Sequence, residues 1–344
     1  MRLLILTQKV DRNDPVLGFF HRWIEKFSER YEKITVVCLE CGEYDLPHNV
    51  KVLSLGKEGG NSKIKYIFNF YRYAWRERKN YDAVFVHMNQ EYVLLGGKLW
   101  LLLGKKVFMW RNHHAGNFLT DIASLFCSKI FCTSKYSYTA KYKKTVLMPV
   151  GVDTEKFKVQ SEKCKVANSI LFLGRIAPSK NVGIFIEALG LLKNRGVNFS
   201  ADIYGDALPK DSIYFHKLKS RAATLDLENM LEFQAGIPNH QVPDVYNPHE
   251  IYVNLSSSGM YDKTIFEAMA CGCLTLASND NLRGQIDNRL IIGERDAKRV
   301  AEHLARTLSL PEEEKKRIIE QEIMFAGTQS LFALFRKLNQ VINS

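Results

Sequence analysis

The feature that most constrains this 344-residue chain is a rhythm: short apolar runs without polar alternation, each followed by a stretch of helical period, in two successive series. In the first series the runs fall at 3–7, 34–39, 51–55, 83–88, 106–110, 129–133 and 145–149. In the second they fall at 170–174, 201–205, 231–234, 251–256 and 274–278. Unbroken apolar runs of this length suit strands covered on both faces, as in a parallel sheet. Amphipathic stretches such as GFFHRWIEKFSERY (18–31), and those at 181–194, 211–225, 264–271, 296–308 and 312–323, read as the covering helices. The prediction is α/β, with two Rossmann-like doubly wound domains at 1–150 and 151–328. The polar segment 151–168 reads as the linker between them. Ligands of such sheets bind beyond the carboxyl ends of the strands, so two such domains facing each other would enclose a central cleft.

Composition removes several alternatives. Apolar residues make up 46% and charged residues 25%, as expected of a water-soluble globular chain. The run YVLLGGKLWLLLG (92–104) is too short to span a bilayer and reads as a buried helix leading into the strand at 106–110. The opening MRLLILT meets polar residues too soon for a secretory leader, so none is expected. Seven cysteines, an odd and scattered set at 38, 41, 127, 132, 164, 271 and 273, read as reduced, buried thiols of a cytoplasmic protein. The single C-x-x-C lacks the second pair that a structural zinc site needs. No G-x-G-x-x-G follows a strand and no Walker A sequence occurs, which weighs against dinucleotide and nucleoside-triphosphate chemistry.

Charge is unevenly placed. Residues 1–150 hold 24 Lys and Arg against 13 Asp and Glu, whereas 151–344 hold 24 of each. A one-sided basic field favours an anionic partner. No nucleic-acid reading module is present, so nucleic acid is not an expected partner.

Two segments carry chemistry. In FLGRIAPSKNVGIFIEALGLLK (172–193) Arg175 and Lys180 flank a strand-to-helix turn, where a planar fork and a point charge both suit a diphosphate. In SSSGMYDKTIFEAMACGCLTLASND (256–280) a serine-rich loop leads into a helix. Thr264 and Glu267 fit a capping box, with Thr264 as N-cap; in the alternative, Glu267 accepts hydrogen bonds from a ribose diol. Backbone N–H groups around Lys263, Thr264 and Ile265 would then face phosphate oxygens.

These segments, with the connecting GIPNHQVPDVYNPHEIYVNLSSS and with GVDTEKF at 151–157, resemble in the same order family 4 of the retaining glycosyltransferases. The resemblance is strong over the second half and rests on rhythm and a few positions in the first. It implies a GT-B fold with the donor nucleotide-sugar on the C-terminal domain (UDP-linked ahead of GDP-linked), the acceptor on the N-terminal one, and a last helix, 329–344, packing back on the first domain. Arg175 and Lys180 match the residues that neutralise the donor diphosphate, Glu267 the glutamate that holds the ribose, and Gly236 and Ile237 the backbone facing the base. His113, in FMWRNHHAGN (108–117), best matches a histidine near the donor sugar. One departure stands out: eight residues before Glu267, where the family carries a second glutamate, this chain has Gly259, with Asp262 and Lys263 nearby as candidates to replace it. Transfer would be metal-independent, since the chain has no D-x-D sequence, and retention would proceed by front-face attack.

Acceptor candidates come from strand ends in the first half: Gly18 in the loop 11–18, Asn89 and Glu91 after the fourth run, and Asn112. The segment 61–79 is basic and aromatic with apolar residues at helical spacing, which suggests peripheral contact with anionic membrane at the inner face. The expected product is a cell-surface polysaccharide or glycolipid precursor. A nucleotide-sugar epimerase and a catalytically degenerate GT-B binding protein are the alternatives.

Overall fold

The computed structural model describes residues 1–14, 16–161, 165–256 and 259–343. Cys164 and the loop serines Ser257 and Ser258 lie outside the described residues, and so do the readings that fell on them. The other six cysteines are free thiols. The chain divides into two compact units, Met1–Met148 with Phe335–Ser344, and Pro149–Leu334.

Among the described residues, the first unit holds seven parallel strands: β1 (Arg2–Val10), β2 (Lys33–Cys41), β3 (Val50–Ser54), β4 (Ala83–His87), β5 (Lys106–Trp110), β6 (Lys129–Cys132) and β7 (Thr145–Leu147). Their spatial order is β3-β2-β1-β4-β5-β6-β7. The absence of alternation in the sequence is explained by burial: Leu3, Leu4, Ile5 and Leu6 are all buried in succession, as is every residue of β4. The helices α1 (Gly18–Ser28), α2 (Lys63–Arg76), α3 (Gln90–Leu102) and α4 (Phe118–Leu125) cover the sheet. Helix α3 is not buried throughout as expected for 92–104, because Leu101 and Leu102 at its end are exposed.

The second unit has a five-stranded parallel sheet among the described residues, ordered β10-β9-β8-β11-β12. Its strands are β8 (Val166–Leu173), β9 (Ser200–Tyr204), β10 (Leu231–Gln234), β11 (His249–Asn254) and β12 (Leu274–Ala277). Its helices are α5 (Val182–Asn194), α6 (Ser212–Thr224), α7 (Val242–Tyr246), α8 (Lys263–Ala270), α9 (Ala297–Leu308) and α10 (Glu312–Thr328). Strand β8 starts inside the segment read as a linker, because Val166 pairs with His249 of β11. Helix α11 (Leu331–Asn343) begins in the second unit and ends in the first, where the Phe335 ring meets Phe27 at 4.7 Å and Trp23 at 6.0 Å between centroids.

Both sheets reverse their order of growth once, between β1 and β4 and between β8 and β11. At such a reversal the flanking loops part and leave a crevice beyond the carboxyl ends of the strands.

Candidate functional site

In the second unit the reversal point brings together residues more than 70 positions apart. After β8 the chain passes through Arg175, Ile176 and Ala177 into a short turn, Pro178–Lys180. Gly205, which follows β9, makes room for this path: a Cβ there would lie 2.0 Å from the Gly174 carbonyl oxygen. Asn181 then adopts a left-handed conformation and donates from Nδ2 to the Leu255 carbonyl (2.7 Å), tying the start of α5 to the end of β11.

Lys180 is thereby aimed at the loop after β11. Its Nζ donates to Ser256 Oγ at 2.9 Å and makes an ion pair with Asp262 Oδ2. Ser256 Oγ donates to the same carboxylate at 2.7 Å, and Asn254 Nδ2 lies 3.3 Å from it. Burial would push the Asp262 carboxyl up, but the Lys180 charge and these hydrogen bonds outweigh it and hold it below the usual aspartate range. Arg175 is exposed at the mouth of the same turn. The two cations and the start of α8 are therefore brought to one end of one sheet.

Helix α8 starts two residues earlier than a Thr264 N-cap requires. Asp262 is its N-cap, and Glu267 is the fifth helical residue rather than the third. The capping box is therefore absent. Thr264 Oγ1 accepts instead from Asn254 Nδ2 (3.2 Å), and the Ile265 N–H closes on the Asp262 carbonyl (3.2 Å). Of the backbone donors expected to face phosphate, that of Ile265 is thus used within the turn.

Glu267 is buried one turn below Lys263, with the Tyr246 hydroxyl 3.5 Å from its Oε2. Burial raises the Glu267 carboxyl and lowers the Lys263 ammonium, and their mutual attraction opposes both shifts. Lys263 Nζ donates to the Gly151 carbonyl at 2.8 Å. Lys156, lowered by burial, adds a second positive charge near Glu267 and holds Asn239 through its carbonyl and side-chain oxygens.

Gly259 has φ 66°, a left-handed backbone that a glutamate would occupy only with strain. The loop is pinned there, with Asn281 Nδ2 donating to the Gly259 carbonyl (2.8 Å) and Asn279 Nδ2 to that of Met260 (2.8 Å). Gly236 follows β10 and donates its N–H to Asp206 Oδ1 (3.1 Å), with Ile237 half-buried beside it.

The remaining candidates belong to the first unit. Gly18 opens α1, and a Cβ there would lie 2.9 Å from the Arg12 carbonyl oxygen, so the glycine already accommodates its own loop. Asn89 is the N-cap of α3, and Glu91 is exposed in the first turn. Asn112 is not an idle polar group: its Oδ1 accepts from Thr133 N (3.1 Å) and Oγ1 (2.9 Å), bracing β5 against β6. His113 is exposed and stacks on His114 at 4.6 Å, with Nδ1 3.0 Å from the Ala115 nitrogen.

Among the described residues no group of three His, Cys, Asp or Glu is arranged to hold a metal. No helix among them is long and apolar enough to cross a membrane.

Comparison with known proteins points the same way as this geometry. Residues 153–323 match the family model described as Glycosyl transferases group 1. The GtfA subunit of the Streptococcus parasanguinis UDP-N-acetylglucosamine–peptide N-acetylglucosaminyltransferase is 27% identical over 172 residues, which are 48% of this chain and 32% of that protein. The chain spans about a third of the length of the curated relatives it matches. Anabaena HepE, solved in complex with UDP, superposes with a TM-score of 0.81 at 15% identity over 100% of both chains. WaaG, described as a glycosyltransferase involved in lipopolysaccharide biosynthesis, gives 0.72 at 15% identity over 99% of both. The fold is the two-sheet α/β architecture of the GT-B glycosyltransferases.

Proposed function

We propose that this chain, whose second unit matches the glycosyl transferases group 1 model, moves a sugar from a UDP-linked donor to a hydroxyl of a glycan or lipid-linked acceptor, with retention and without a metal. The observation that carries this reading is the Lys180 ammonium, turned toward the N-terminal end of α8 at the reversal point of the second sheet. In the reaction the bond between the anomeric carbon and the β-phosphate oxygen breaks, and the new bond forms to the acceptor oxygen, which gives up its proton to the departing phosphate oxygen on the same face. Negative charge then collects on the departing diphosphate. Lys180 and Arg175 stabilise that charge as it develops, and the positive end of α8 adds to their field. Glu267 takes the ribose hydroxyls and the Gly236–Ile237 backbone faces the base. With Gly259 in place of a glutamate, Asp262 is the carboxylate left to contact the sugar. His113 as a donor-sugar contact, and Gly18, Asn89, Glu91 and Asn112 on the acceptor side, complete the reading.

Calorimetric titration with UDP, GDP and ADP in the presence of a chelator tests it. UDP should bind, and Lys180→Ala should weaken that binding by about ten- to a hundredfold. No binding of any of the three would overturn the donor site. Interconversion of a UDP-sugar without acceptor would replace transfer by epimerisation.

A further inference from the structure

We propose that the outer face of α2 and α3 in the first unit docks on an anionic phospholipid bilayer. Helix α2 has two apolar faces. One, at Phe70 and Ala74, is buried against the sheet. The other runs along Ile64, Ile67, Phe68, Tyr71 and Trp75, at three, four, seven and eleven residues from Ile64, which is one stripe of an α-helix. That stripe lies in solvent, with Ile64 81%, Phe68 64% and Trp75 53% exposed. Helix α3 continues it: the Tyr71 hydroxyl donates to the Leu95 carbonyl (2.8 Å), and Leu101 and Leu102, at the end of α3, are 70% and 86% exposed. Single exposed apolar residues are ordinary, but a row spanning two neighbouring helices marks an interaction surface. Helix α9 of the second unit behaves in the usual way, burying Val300, Ala301 and Leu304 and showing no large apolar residue to solvent.

Charge identifies the partner. Lys65, Arg72 and Arg76 follow one flank of the stripe and Lys63 the other. The acidic residue of this stretch, Glu77, is buried and engaged by Lys51 and Arg76. Arg72 turns to the Tyr73 hydroxyl and ring rather than to a carboxylate. Exposed aromatic and branched side chains bordered by cations fit a lipid surface: the apolar row enters the acyl boundary while the cations meet headgroup phosphates. This docking does not depend on the transferase reading.

The test is sedimentation of the full chain with vesicles of mixed phosphatidylglycerol and phosphatidylcholine, against vesicles of phosphatidylcholine alone. Binding is expected with the anionic vesicles. Because Trp23, Trp100 and Trp110 are buried, the blue shift of tryptophan emission on binding should come from Trp75. Trp75→Phe should abolish that shift and keep most of the binding. Phe68→Ser and Ile64→Ser should each weaken partition by about tenfold. Lys65→Ala and Arg72→Ala should each weaken it by about fivefold, with the loss shrinking at high salt. All these side chains are exposed, so unchanged melting temperatures keep the comparison valid. No binding to anionic vesicles, or variants that bind like the parent, would overturn the proposal. So would a concentration-dependent dimer that Phe68→Ser dissolves without any vesicle binding, which would assign the face to a second copy.

Discussion

Each sheet presents a lysine at its reversal point, and the two lysines differ only in their company. Lys9 and Lys180 are almost equally accessible, with 22% and 23% of the side chain exposed. Around Lys9 stand three carboxylates, Asp14 at 3.0 Å, Glu40 at 3.1 Å and Asp11 at 3.3 Å. Burial alone would lower its pKa, but those carboxylates hold it well above the ordinary lysine range. Lys180 faces one carboxylate and one hydroxyl. The first cluster is net negative and repels an anion; the second is neutral and needs only a change of partner to accept one. The same topology therefore supports opposite chemistry, and charge counted around the crevice, not the fold, says where a diphosphate goes.

The largest expected effect lies behind Lys180. Lys263→Met leaves Glu267 with one fewer compensating charge in a buried setting and should cost about 3–5 kcal/mol in denaturant unfolding of the second unit, largely recovered by adding Glu267→Gln. Lys9→Met leaves three carboxylates facing one another at a part-exposed site and should cost less, about 1–2 kcal/mol. Equal costs would break the contrast. Next, Lys180→Ala should weaken UDP binding by about ten- to a hundredfold, the range for a charged hydrogen bond, with Lys9→Ala within about twofold of the parent. Asp262→Asn sharpens the comparison further. It frees Lys180 from a competing anion, so UDP should bind tighter by a few-fold while sugar transfer slows. Tighter binding with unchanged turnover would make Asp262 a tether for Lys180 and nothing more. The smallest effect is on acid stability. The Asp262 pKa is depressed in the folded state, so its contribution is present above the unfolded aspartate value and is lost as pH falls through the folded one. Acid unfolding followed by circular dichroism should show a shallower limb in Asp262→Asn than in the parent.

Much of the architecture was legible because burial on both faces leaves a continuous apolar signature. Strands β5 and β10 coincide with the runs 106–110 and 231–234, and α5 with 181–194 to within a residue. The misses have local causes. The first residues of β8 include Asn168 and Ser169, which do not look like strand. Asn168 sits at φ 59°, with its N–H taken by Glu250 Oε2 (2.6 Å). Helix α4 was hidden because its capping box uses Asn117 and Thr120, without the acidic third residue that makes such boxes visible. The opposite error occurred at α8, where a matching Thr264 and Glu267 were spaced correctly but the helix had already begun. In the site, the residue types and the two turns were readable. The pairing of Lys180 with Asp262, across 82 positions, and the three carboxylates of Lys9 were not, because sequence spacing carries no information about which loops a sheet reversal brings together.

Helix α11 sets an order of events during synthesis. Trp23 and Phe27 of α1 are covered by Phe335, and Leu338 and Ile342 of the same helix are also fully buried. The ribosome delivers that cover only after all of the second unit. Until then a nascent first unit carries an uncovered aromatic face, and the second unit, contiguous in the chain, can close first. Replacing Phe335, Leu338 and Ile342 by serine alters three side chains of one helix, yet it should send the first unit, not the second, to the cell's proteases and chaperones.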